Sequence, residues 1–344
     1  MTPMPDGLPK LGITLFSLTL EMRRPDCSLE SMITRVAELD LGPGLEIVGF
    51  QSIRGWPNLT DEFVASFRTL VEECELEPTA MSMNLDLARR RDRRMTEVEA
   101  LAYLEGQMVA AKKLGFPIGK SAILSTPRFV EGLARIAERL DMQFGVEVHS
   151  PESVDSPHVV ELRELFDAVG SPQLGFVPDF SSSMHDVPPS LVRAHRESGM
   201  PEELIDLVAE VWHSESSMPE KFARFAEESR ALGASPGDVG KLNMVLTMHG
   251  RMDPARWAEL MPKVVHVHGK FYWIDDDGQE PSIDHETIMR VLVDAGYTGF
   301  ISSEWEGHAY TDAASGYEMC RGHHDLCRRL LLEAASTAGT PRAH

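Results

Sequence analysis

VVHVHGKFYWIDDDG, residues 264–278, and GYTGFISSEWEGH, residues 296–308, decide how this chain is read. Each contains a short apolar run ending in groups that bind a metal or move a proton, with one amphipathic helical segment between them. Alternate side chains of an extended strand share a face, so His266 and His268 point one way while Val265 and Val267 point the other. Glu304 and Glu306 stand in the same relation at the end of the second run. Burying ionisable groups is costly without partners, so four of them on two strands imply a site.

Working outward, apolar runs at 12–18, 45–50, 79–84, 121–125, 144–149 and 174–179 read as six earlier strands, and 264–268 and 299–304 bring the total to eight. Helical spacing fills the intervals. Ser28 is the expected cap of a helix running to Leu39, and Thr96 caps a long helix that Gly115 closes. Further helices are expected over 59–74, 127–140 and 154–169. Strict β-then-α alternation implies parallel strands with right-handed crossovers, and eight such units predict an α/β fold, a closed (β/α)₈ TIM barrel spanning 1–344 as a single domain. No GxGxxG follows the first strand, which removes the dinucleotide-binding alternative. One interval is too long: about 183–260, after the sixth strand, holds helical stretches at 188–195, 202–212 and 219–232. An excursion there falls on the catalytic face and is expected to form a lid, a substrate wall or a partner surface.

The balance of 33 Lys and Arg against 54 Asp and Glu leaves a net charge of −21, which repels nucleic acid. The basic run Arg89 to Arg94 reads as a solvated loop. Four cysteines without CxxC spacing read as reduced thiols; Cys320 and Cys327 are two helical turns apart, too far to bridge. With no signal sequence and no apolar run of membrane length, the expected location is the cytoplasm, with no membrane partner.

Barrel enzymes carry their reactive groups where strands end. Glu147, Asp179, His268 and Glu304 all occupy such ends, and three carboxylates with one imidazole suit Mn²⁺ or Mg²⁺ better than a structural zinc. Glu147 and Glu304 are therefore both candidate metal ligands and candidate catalytic groups. His149, two residues beyond Glu147, is placed as a general base. Lys270, two beyond His268, is placed to hold a substrate hydroxyl or an enolate oxygen. His266, Glu306 and Asn84 are candidate substrate-binding residues, with His266 deep enough to orient a ligand instead. A cation flanked by acid–base groups suits proton abstraction beside a carbonyl.

The sequence EVH at Glu147, PD at Asp179, HVHGK at 266–270 and GYTGFISSEWEG at 296–307 resemble the xylose-isomerase-like sugar isomerase/epimerase barrel superfamily over essentially the whole chain. The resemblance implies one catalytic divalent cation, commonly manganese, on Glu147, Asp179, His268 and Glu304. Ketohexose 3-epimerases of that superfamily carry a His three residues after the strand-six Asp and an Arg six after the strand-seven His. Ser182 and Ile274 occupy those places here, which argues against epimerisation of a free ketose. HVHGKFYWIDDDG with ISSEWEGH, NLDLARRRDRRMTEVE and the excursion resemble more closely the catalytic α subunit of bacterial C-glycoside deglycosidases. That resemblance implies a metal-dependent lyase that cleaves 3-oxo-C-glycosides by β-elimination and works with a small β subunit. The alternatives are a sugar or inositol isomerase, epimerase or dehydratase acting through an enediolate, and a non-catalytic binding subunit.

Overall fold

The computed structural model describes residues 4–338. Its eight strands are β1 (Lys10–Thr14), β2 (Gly44–Val48), β3 (Glu77–Ser82), β4 (Ile118–Lys120), β5 (Gln143–Val148), β6 (Leu174–Pro178), β7 (Val267–Phe271) and β8 (Phe300–Trp305). All pair in parallel, in the order β6-β5-β4-β3-β2-β1-β8-β7. The ring closes between β6 and β7 through bridges Phe176 to Val264 and Asp179 to His268. This is a TIM barrel, with helices between successive strands.

Local chemistry explains most helix boundaries. Ser28 accepts the amide of Ser31 and starts the helix Leu29–Glu38. Thr96 and Glu99 form a reciprocal capping box, and Gly115 at φ +98° ends that helix in a conformation that costs glycine little. Arg93 and Arg90 pair with Glu99, and Arg90 with Asp92, so two arginines of the basic run are neutralised locally.

The fourth strand differs from expectation. It spans Ile118–Lys120, and the apolar segment 121–125 follows it as irregular chain. Ile123 is buried there, so its apolarity reflects packing beyond the strand and not strand pairing. β1 likewise stops at Thr14 and turns into a 3-10 helix, Leu15–Leu18.

The excursion holds four helices, Pro189–Glu197, Glu202–His213, Met218–Ala231 and Pro236–Met248. The last was not expected, because Gly237 and Gly240 lower helix propensity in a segment of weak amphipathic character. Its return is stitched to the turn after β6: Gly250 donates to Ser181 O, Met184 to Gly250 O and Met252 to Ser182 O. A Cβ on Gly250 would lie 2.7 Å from Ser182 O, so this close approach needs glycine. A cavity of about 620 Å³ separates the excursion from the segment after β5, with Ser150, Ser182, Trp212, His249 and Arg251 among its walls.

Candidate metal centre at the barrel mouth

The pleat of β7 puts His268 and Lys270 on its inner face, His266 just before the strand lies on the same side, and β8 adds Ser302 and Glu304 from the neighbouring strand. β5 contributes Glu147, and Asp179 follows β6. One ligand atom from each of Glu147, Asp179, His268 and Glu304 lies within 4.8 Å of the others. His268 Nδ1 is the focus, 2.6 Å from Glu304 Oε2, 2.7 Å from Glu147 Oε1 and 3.7 Å from Asp179 Oδ2.

An imidazole nitrogen carries at most one hydrogen and cannot satisfy three carboxylates. The other side of the ring decides its tautomer: Nε2 is 2.8 and 2.9 Å from the oxygens of Glu46, which accept its hydrogen. With the proton on Nε2, the Nδ1 lone pair turns toward the three carboxylates. That is the carboxylate–histidine–metal arrangement, in which an outer acid orients the ligand. Asp179 supplies a second sign. Its Oδ1 accepts the Ser181 amide at 2.8 Å, while the sealed Oδ2 accepts no hydrogen bond among the described residues.

Charge gives the same answer. Five carboxylates, Glu46, Glu147, Asp179, Glu304 and Glu306, face two ammoniums, Lys120 and Lys270, so five minus two leaves three negative charges. Burial disfavours an ionised Asp179, but Lys270 and His149 hold its carboxyl well below the usual range. Burial opposes charge on Glu147 as well, and Lys120 and His268 outweigh it. Burial opposes charge on the His268 ring, but Glu304 and Glu46 raise its pKa well above normal. The donor set fits a hard divalent cation.

The remaining predicted residues fall into two layers. Lys270 bridges Glu306 at 2.9 Å, Glu304 at 3.3 Å and Asp179 at 3.5 Å. Glu306 is kept ionised by Lys270 against burial. His149 is half-buried at the end of β5, within electrostatic reach of Asp179 and Glu306. Its Nδ1 lies 2.6 Å from Ser150 O, which only accepts, so Nε2 retains a basic lone pair. His266 lies beneath, fully buried, with Nε2 against Glu46 at 2.9 Å and Ser302 Oγ at 3.0 Å. That depth, against Glu46 and Ser302, gives it an orienting position beneath His268. Asn84 is held by Tyr103 and Gln107, on the helix Glu97–Leu114, and not by the carboxylate cluster.

Two partners escape the sequence reading. Glu46 sits within the apolar run 44–48 of β2, fully buried, touching both histidines and Ser82. Lys120 ends β4, 3.0 Å from Glu147 and 3.4 Å from His268 Nδ1. A lone charge inside an apolar strand is the available signal for Glu46, whereas Lys120 precedes the apolar segment 121–125 and carries no such signal.

Known proteins bear on this geometry. The 3'-dehydrocarminate deglycosidase alpha subunit of a Microbacterium species is 42% identical over 342 residues, covering 97% of this chain and 98% of that protein. A C-glycoside deglycosidase alpha subunit of Arthrobacter globiformis is 37% identical over 329 residues, 94% of this chain and 93% of that one. The chain belongs to the C-glycoside deglycosidase alpha-subunit family. It is thus a member of an enzyme family. No protein-family model matches it. Among solved structures, L-ribulose 3-epimerase superposes at a TM-score of 0.56 with 11% identity, over 98% of this chain and 100% of that one. A xylose isomerase-like TIM barrel protein from Mycobacterium smegmatis in complex with magnesium gives 0.53 at 16% identity, over 97% and 98%. At these identities the likeness concerns the fold.

Proposed function

We propose that this deglycosidase α subunit is a divalent-metal-dependent lyase acting on 3-oxo-C-glycosides. The observation that carries the reading is the convergence of Glu147, Asp179 and Glu304 on one nitrogen of His268, whose other nitrogen is occupied by Glu46. Those four residues would hold the cation, Mn²⁺ or Mg²⁺. Bound there, it supplies Lewis-acid stabilisation of negative charge developing on the sugar oxygens next to the ketone.

The chain's own groups do the rest. The 3-keto group acidifies the C2 hydrogen, and His149 Nε2 takes that proton. The C–H electron pair becomes the C1=C2 double bond, the C1–aglycone bond breaks with its pair on the aglycone carbon, and that carbon takes up a proton. Lys270 stabilises oxygen charge on the sugar, with Glu306 fixing the direction of its ammonium.

The relatives' designation as alpha subunits supports assembly with a second, smaller β subunit. All four cysteines are free, which suits a reducing cytoplasm, and among the described residues no helix is long and apolar enough to cross a membrane. Ser182 donates to Val148 O and Ile274 packs against Gly322, so neither place offers the polar group expected of a ketohexose epimerase.

The test is aglycone release from a 3-oxo-C-glucoside by the Mn²⁺-loaded protein with its partner subunit. Cleavage is expected, with loss on chelation and recovery on adding metal. No release, combined with solvent deuterium entering a free ketose, would replace the lyase by an epimerase.

A further inference from the structure

The inward row of β7 does not stop at Lys270. Positions 266, 268, 270 and 272 share one face by the two-residue period, so Tyr272 is the next rung toward the mouth. Its neighbours agree: Glu306, Tyr310, Lys270 and Asp179 are the charged and phenolic groups that act on its hydroxyl. The outward row runs differently, with Phe271 stacked on His323 behind the strand.

Tyr272 is held rigidly everywhere except at its hydroxyl. Its carbonyl accepts from Trp305 Nε1 at 3.0 Å, and its ring lies 5.2 Å from that of His249 and 6.0 Å from that of Tyr310. Tyr310 directs its own hydroxyl to His249 Nε2 at 3.4 Å, so it does not serve Tyr272. The Tyr272 Oη is sealed from solvent and has no hydrogen-bond partner among the described residues. Nearby, His308 Nε2 is in the same condition, its ring fixed edge-on against Phe16 and Trp305. Glu306, Lys270 and Glu304 act on His308 as they do on the groups around the metal ligands.

A buried polar atom without a partner destabilises a fold, and such atoms at a site call for an occupant. Here two lie within electrostatic reach of the same Lys270–Glu306 pair. Phenylalanine in place of Tyr272 would keep the packing and remove the unpaired oxygen. We propose that Tyr272 Oη and His308 Nε2 are hydrogen-bond contacts for the oxygens of a bound pyranose, added to the contact made by Lys270. Tyr272 acts as donor, because burial and Glu306 keep its hydroxyl protonated. The inference rests on the carbohydrate reading of the metal centre and extends it to two residues with no metal-binding role.

Binding and turnover separate the two ideas. The full chain, loaded with Mn²⁺ and joined to its partner subunit, is titrated with the 3-oxo form of 1,5-anhydroglucitol, which carries no aglycone to expel. Tyr272→Phe and His308→Leu are each expected to weaken binding about three- to tenfold, the range of one hydrogen bond, with metal content unchanged. The melting temperature of Tyr272→Phe is expected to equal or exceed that of the parent. Binding within twofold of the parent, as expected if each atom only meets a buried water, overturns the assignment, as does a parent protein that binds no sugar. A parent that binds the sugar but does not cleave a 3-oxo-C-glucoside refutes the lyase while leaving the contacts standing.

Discussion

His266 and His268 point from β7 into the barrel, whereas His285 and His323 lie behind the same strand pair, between it and the helices His285–Asp294 and Gly316–Ala338. Both pairs are buried, yet their chemistry differs. Inside, three carboxylates crowd one nitrogen of His268 and a fourth takes the other. Outside, each nitrogen has a neutral partner. Ser303 Oγ donates to His323 Nδ1 at 2.7 Å, and His323 Nε2 donates to His285 Nε2 at 3.0 Å. The chain ends with His285 Nδ1 donating to Ile283 O at 3.2 Å. Each ring thus has one hydrogen and one acceptor, which is complete for neutral imidazole. A buried histidine becomes informative when its acceptors outnumber its hydrogens, and burial alone does not separate the two cases.

The sharpest way to break the inner set is His268→Gln. It removes the atom on which the three carboxylates converge and leaves the outer chain untouched. Metal retention should be lost and cleavage should fall by about 10³-fold or more, the scale of a lost Lewis acid worth several kcal/mol. Metal content and initial rates check this. A variant that retains one equivalent of metal and most of its activity would mean that the convergence around His268 is structural.

The inner half of this contrast is legible in the sequence. Alternation along 264–268 put both inner histidines on one face, and the positions of Glu147, Asp179 and Glu304 at strand ends gathered the candidate ligands. What escaped had physical reasons. Lys120 lay outside the expected fourth strand because 121–125 is the more apolar segment, although it packs as irregular chain. Glu46 looked like one acid in a strand, since its two histidine partners lie about 220 residues away. The outer pair was invisible for a related cause: His285 and His323 meet only when two helices pack behind Gly269, where a Cβ would come within 2.9 Å of His323 Cε1. Local pattern reports which face a residue takes. Long-range closure decides what it meets there.

The outer pair is broken by acid. Burial pushes His285 down to about 4, and His323 well below its ordinary value, so both stay neutral in the fold. An unfolded histidine takes its proton near pH 6.5, so the unfolded state binds more protons as pH falls below that value. Stability is therefore retained above about pH 6.5 and lost progressively toward pH 4, by up to about 3 kcal/mol for His285. Urea unfolding of the parent and of His285→Gln, both stripped of metal, measures the difference. The variant should lose less stability over that range, and equal slopes would show that the outer histidines do not titrate on unfolding.

Ser303→Ala tests the boundary between the two sets at its thinnest point, because Ser303 and Glu304 are adjacent on β8 and face opposite ways. Removing the hydroxyl leaves His323 Nδ1 as an acceptor without its donor. The cost should be about 1 kcal/mol of folding stability, typical of one neutral hydrogen bond. The Ser303 carbonyl, which accepts from Ser17 Oγ at 3.1 Å, is unaffected by the change. Glu304 therefore keeps its backbone setting, and metal affinity should stay within about twofold, since the only bond removed is the weak, neutral one on the outer face. Chelator competition measures that affinity. A large drop would show that the outer relay tunes the ligand geometry through the strand, so the two faces of β8 would no longer be energetically separate.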